Sequence, residues 1–310
     1  MIETVKQLTK VVEGKLEALD RILDPVNPEI LVPKSNEQDL KMRGLVRDYV
    51  SDIRVVGIEN LRAAVKQADG DELVLTTVRN HQTYFDIATA RAAFESEGEK
   101  EYADAQVFPS GLEIYELYRD THFPANEIAV MTVAPQDALL IDQGLRGIFG
   151  ELTEAQRALL EACKQGFSSL VRRSIREIAI QVVSTNRLTI FPEAEFPLID
   201  GLTQRPKLTT AAYFRRPGIN LPIRQDGPHL MFAPDTEHSP NRPNKFVLEM
   251  WIGKHFTNDQ VAKALAAVPE EEKIAENITE ADIAFKAVVD LRPDRVDPVL
   301  IPFYAHLPSV

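Results

Sequence analysis

At the start of the chain, apolar residues recur three and four positions apart, at Val5, Leu8, Val12, Leu16, Leu19 and Leu23, with charged positions between them. That period predicts an amphipathic helix, stopped by Asp24-Pro25 and Pro28. Ser35 with Gln38 three residues on has the form of a capping box and opens a second predicted helix, which carries Met42, Leu45, Tyr49 and Ile53 on one face. The two make an N-terminal helical hairpin over residues 1–52. It is expected to act either as a packing lid over a sheet or as a face that meets a membrane or covers an acyl chain.

Past the hairpin the period changes. Short β-rich apolar runs at residues 54–56 and 72–78 alternate with helical patterns at 60–67 and after Asp86, and that order predicts an α/β domain over residues 53–310. The longest predicted helix covers 154–183, behind a Thr153/Gln156 capping box, with Leu160, Cys163, Phe167, Leu170, Ile178 and Val182 on one stripe. Cys163 lies on that apolar stripe and is read as a packed core thiol, not a nucleophile. A buried strand follows at 188–191. Nine of the chain's 20 prolines then fall between Pro192 and Pro243, so residues 192–243 are predicted to be largely loop and edge. Order returns with a segment at 245–252, helices at 258–267 and 279–289, and an apolar strand at 296–304.

Composition narrows the classes. With 310 residues, 44% of them hydrophobic and 26% charged, the chain has ample material for a continuous buried core. A single Cys allows no internal disulfide and no four-thiolate metal site. Lys and Arg number 35 against 47 Asp and Glu, a formal charge of -12, which argues against a general nucleic-acid footprint and against long-range attraction to an anionic bilayer. No run approaches the roughly 18 uninterrupted apolar residues of a membrane span. The expected location is the cytoplasm, with peripheral membrane contact at most.

The first candidate chemistry is the pair His81 and Asp86 in the string RNHQTYFD. The string follows the apolar run ELVLTTV and opens a helical segment, which puts the His at a strand-to-helix turn, where α/β sheets present their ligands. Five residues of regular helix would leave the two side chains about 140° apart. They meet only if His81 precedes the helix and the chain bends between them. In that arrangement Asp86 accepts the Nδ1 proton of His81 and holds its tautomer, the logic of a general base acting on a hydroxyl. A helix-capping His with an unrelated Asp in the first turn is the structural alternative.

Three strings occur in order: VVGIENL at 55–61, VLTTVRNHQTYFD at 74–86, and LTIFPEAEF at 188–196. Together they resemble the glycerol-3-phosphate and 1-acylglycerol-3-phosphate (lysophosphatidate) acyltransferase superfamily, which carries a G-x-E-N-L lead-in, an N-H-x4-D box after a strand and a later F-P-E-G box. The resemblance spans roughly residues 53–200. It implies an acyltransferase-type mixed sheet flanked by helices, His81 as general base with Asp86 as its orienting partner, and substrate contacts from Asn80, Pro192 and Glu193. It also implies a fatty acyl thioester of coenzyme A or acyl carrier protein as co-substrate, a glycerol-phosphate, lysophospholipid or related acceptor, and no cofactor or metal.

The third box departs from the family, since Ala194 and Glu195 follow Glu193 where relatives have Gly and soon afterwards a phosphate-gripping Arg. The segment GLRGIFGELT at 144–153 is vaguely similar to the family's second box but ends in Gly-Glu where the family has Asp-Arg, leaving Arg146 as the substitute. A basic stretch offers compensation. Between Leu202 and Gln225 there are five cations, Arg205, Lys207, Arg215, Arg216 and Arg224, and no acid. Such a patch suits the phosphates of coenzyme A, the acidic face of a carrier protein or an anionic head group; a solvated basic loop is the plain alternative.

Other signals are weaker. His229, Asp235, Glu237 and His238 lack a short ligand pair to anchor zinc, no G-x-S-x-G elbow exists, and the glycines at 144, 147 and 150 have the wrong spacing for a dinucleotide fingerprint. Trp251, Phe246 and Phe256 read as core. The expected function is O-acyl transfer. The competing expectations are a non-catalytic lipid or acyl-carrier binding protein on the same scaffold and, behind it, a metal-dependent hydrolase.

Overall fold

The computed structural model describes residues 50–81, 86–111, 126–130, 187–190, 212–215, 217–226, 246–276, 278–296, 298 and 300–310, with the isolated positions 10 and 46. Apart from positions 10, 46 and 50–52, the last of which belong to a strand, the predicted hairpin lies outside the described residues, as does the helix at 154–183, Cys163 included.

The described strands are β1 (Val50–Val56), β2 (Val74–Arg79), β3 (Val107–Gly111), β4 (Asn126–Val130), β5 (Arg187–Ile190), β6 (Gly218–Asp226), β7 (Phe246–Ile252) and β8 (Phe256–Thr257). They form one mixed sheet in the order β1-β7-β6-β2-β5-β3-β4, with β8 also paired to β6. β6, β2, β5, β3 and β4 run parallel, while β7 lies antiparallel to β6 and β1 runs with β7. The helices α1 (Ile58–Gly70), α2 (Asp86–Ser96), α3 (Lys100–Ala105), α4 (Asn258–Ala267), α5 (Glu270–Glu276), α6 (Glu280–Val289) and α7 (Ile301–Ala305) complete the described elements. The result is a mixed α/β architecture with a central sheet flanked by helices.

Alternation along the central strands builds two cores. Leu75 of β2 and Ile219, Leu221 and Ile223 of β6 pack with Leu61 and Ala64 of α1 and Phe94 of α2. Val78 of β2 and Leu188 and Ile190 of β5, of the opposite parity, pack with Phe285 and Val288 of α6 and Tyr304 of α7. Each fully buried Leu, Ile or Phe stabilises by about 1.5–3 kcal/mol.

The lead-in string at 55–61 has a structural explanation. Gly57 sits at φ 86° at the N-cap of α1, and a Cβ there would come within 2.3 Å of the Ile252 carbonyl oxygen. That same carbonyl accepts from the Asn60 amide at 2.8 Å, and Leu61 is fully buried. Gly, Asn and Leu thus dock the start of α1 on the end of β7. Gly57→Ala should therefore lower stability by about 1–3 kcal/mol, read as a reduced urea midpoint with an unchanged denaturant slope.

Four expectations are corrected. Ile53 does not lie on a helix face; it belongs to β1 and pairs with Leu248, because the ladder to β7 outweighs the local helical spacing. The region 192–243 is not all loop and edge, since Gly218–Asp226 is a nine-residue strand buried along its whole length, next to β2. Pro222 is tolerated there because its side of β6 falls between β8, paired at Ile219 and Asn220, and β7, paired from Ile223 onward. Its carbonyl faces that gap and accepts from Gly253 N at 2.9 Å, so the missing N–H removes no ladder bond. The predicted strand at 296–304 is instead a turn and α7, with Pro302 in the first helical turn. Leu300, Tyr304 and Leu307, four and three apart, are the buried residues, which is a helical spacing. Trp251 is only partly buried: the Arg292 guanidinium lies 4.3 Å from its ring centroid, so its face is taken by a cation of the same chain, while Phe256 is core as expected.

Candidate active site

β2 leaves the sheet with Arg79, Asn80 and His81, flanked by the carboxyl ends of β5 and β6. This is the end at which parallel α/β sheets hold their ligands. His81 precedes α2, Asp86 is the first residue of that helix, and their side chains meet. His81 Nδ1 lies 2.8 Å from Asp86 Oδ2. Asp86 is sealed, with 4% of its side chain exposed, while the imidazole keeps 24%. A carboxylate in the first turn of a helix is also favoured by the helix dipole.

Asn80 has a different role from the substrate contact expected of it. Its amide donates to the Gln225 carbonyl at 2.7 Å and accepts from Gln225 N at 2.8 Å, continuing the β2–β6 ladder by one side chain. At 1% exposure, the residue is a structural clamp that fixes where His81 emerges.

Beneath the His lies Arg79, fully buried, whose Nη2 donates to Gln225 Oε1. Gln225 Nε2 donates to Thr89 Oγ1, and that hydroxyl donates to the Asp86 carbonyl at 3.2 Å. Burial lowers the Arg79 pKa to about 10, partly offset by the nearby Asp86 and then Tyr102, so the guanidinium stays charged near neutrality. Tyr102, bonded through its hydroxyl to Thr77, is pushed up by burial and stays a neutral phenol.

Sequence reasoning did not identify Arg79, Gln225 or Thr89. The available signal was parity: Leu75, Thr77 and Arg79 share one face of β2, and Leu75 on that face packs in the core that α1 and α2 cover. Arg224, expected in the anion-binding set, is corrected. It is 1% exposed in β6, paired with Asp226 at 3.1 Å and donating to the Arg295 carbonyl at 2.7 Å, so it ties the sheet to the segment after α6. Arg215 closes the 3-10 turn Ala212–Arg215, but its side chain is not described. Arg146, Pro192, Glu193, Arg205, Lys207 and Arg216 lie outside the described residues, as do His229, Asp235, Glu237 and His238. Among the described residues no group of three His, Cys, Asp or Glu side chains is placed to hold a metal ion, and no helix is long and apolar enough to cross a membrane.

No protein-family model matches the chain, and no curated protein matches it. Among solved structures, it is similar to the 1-acyl-sn-glycerophosphate (LPA) acyltransferase PlsC from Thermotoga maritima. That match has 14% identity, covers 90% of this chain and 95% of the other, and has a TM-score of 0.36. What the site can do follows from its own atoms. A partly exposed imidazole held by a buried carboxylate at the carboxyl end of the sheet's parallel strands can take a proton from a hydroxyl brought to its outer nitrogen.

Proposed function

We propose that the chain is an O-acyltransferase that moves a fatty acyl group from a thioester of coenzyme A or acyl carrier protein to the hydroxyl of a glycerol-phosphate, lysophospholipid or related acceptor. The observation that carries the reading is the 2.8 Å bond between His81 Nδ1 and Asp86 Oδ2 at the carboxyl end of β2. His81 removes the acceptor proton as the oxygen attacks the thioester carbonyl. Asp86 stabilises the imidazolium that forms. Collapse of the tetrahedral species breaks the C–S bond, and the proton passes from His81 to the departing sulfur, so the base is restored and no acyl-enzyme forms.

Developing negative charge on the carbonyl oxygen needs donors, and the Pro192-Glu193 string, which follows β5 in sequence, is the proposed source of that environment. Arg146, Arg205, Lys207, Arg215 and Arg216 are the proposed cations for an anionic donor or acceptor; Arg224, sealed against Asp226, is not among them. The test is thiol release from a panel of acyl-CoA and acyl-carrier thioesters, with and without hydroxylic acceptors. Release that requires an acceptor is expected. A stoichiometric complex without turnover would favour a binding protein instead.

A further inference from the structure

We propose that Arg79 is a positioning residue for His81: a buried guanidinium beneath the site that balances the Asp86 carboxylate and keeps the imidazole unprotonated, and so available as a base. This rests on the reading of His81 as the base.

The problem it answers is electrostatic. A sealed carboxylate bonded to an imidazole favours the imidazolium, and a protonated His cannot accept the acceptor's proton. A second fixed positive charge close to the same carboxylate opposes that protonation. Arg79 is the last residue of β2, two positions before His81, is fully buried, and interacts electrostatically with Asp86, which opens α2. It is also held in place. Its guanidinium bonds Gln225, Gln225 bonds Thr89, and Thr89 bonds the Asp86 carbonyl, while the Gln225 backbone is clamped by Asn80. The relay therefore joins the guanidinium to the first turn of α2.

Among the described residues, the other charged and titratable groups on the neighbouring elements are engaged elsewhere: Arg91 on α2 is bridged to Glu95 and Asp104. Tyr102 on α3 stays neutral at physiological pH. Arg187 on β5 is bridged to Asp69 of α1, and Asp226 at the end of β6 is engaged by Arg224.

The experiment is an NMR titration of the His81 imidazole, one of six His in the chain, assigned with His81→Gln. In Arg79→Met the titration midpoint should rise by about one pH unit. With substrates present, the acidic limb of the rate profile should move with it, so that on that limb the variant's rate falls about tenfold below the wild type's at the same pH while the alkaline plateau is shared. An unmoved midpoint in folded Arg79→Met overturns the inference. If that variant does not fold, Arg79→Gln, which removes the charge and keeps an amide donor toward Gln225, carries the same test: a raised midpoint supports the inference and an unmoved one overturns it. The titration needs no substrate. A chain that transfers no acyl group while the midpoint still moves loses the proposed function and keeps the electrostatic role of Arg79.

Discussion

His81→Ala is expected to reduce acyl-transfer turnover by at least about 10²-fold, the usual cost of a missing general base, while leaving the circular-dichroism spectrum unchanged. The fold should survive because His81 stands beyond the end of β2, outside both apolar cores. Both kcat and kcat/KM should fall, since the proton transfer belongs to the transition state and not to ground-state binding. Asp86→Asn should do nearly as much harm: the bond at 2.8 Å can be replaced by an amide, but the charge that steadies the imidazolium cannot. A folded His81→Ala protein with wild-type turnover would remove His81 from the chemistry.

The largest expected loss of stability is at Arg224. Replacing it with Leu leaves Asp226, with only 11% of its side chain exposed, without its cation, and leaves the Arg295 carbonyl without its donor. Breaking one side of such a buried pair should cost about 3–5 kcal/mol. The double variant Arg224→Met with Asp226→Leu should recover most of that, because two apolar side chains of similar volume need no pairing. Urea denaturation of the single and double variants measures both effects. Wild-type stability in Arg224→Leu together with a raised Michaelis constant for the acyl donor would instead return this arginine to the substrate surface.

Arg224 also marks where sequence and structure part. Counting cations and prolines makes 202–225 look like an exposed basic loop, yet Gly218–Asp226 is an interior strand. The two signals that misled are local: Pro222 sits where its side of the strand has no ladder partner, and Arg224 is compensated by a neighbour two residues on. Neither compensation is visible without the sheet order. Similarly, Ile53 fits a helical stripe until β7 is placed beside it, and the 296–304 run looks like a strand until the spacing of its buried residues is known.

What was legible has an equally physical basis. The alternation of apolar runs marked β2 and α2, and the helical angle argument required His81 to precede the helix that Asp86 begins, which is the arrangement found. Gly57 and Asn60 stood out in a string whose cause appears only in three dimensions, at the Ile252 carbonyl. Arg79 escaped notice because a charged residue at a strand's end reads as exposed. Its burial depends on Gln225, 146 positions away along the chain.

The central claim is direct transfer by a histidine base, and one quenched reaction tests it most directly. A thioester and a hydroxylic acceptor are mixed with the protein, stopped within a turnover, and the acceptor and the intact protein are weighed by mass spectrometry. The account predicts acceptor heavier by one acyl ester and protein of unchanged mass, with neither product formed by His81→Ala. Acyl mass on the protein, or free fatty acid with unmodified acceptor, would contradict it.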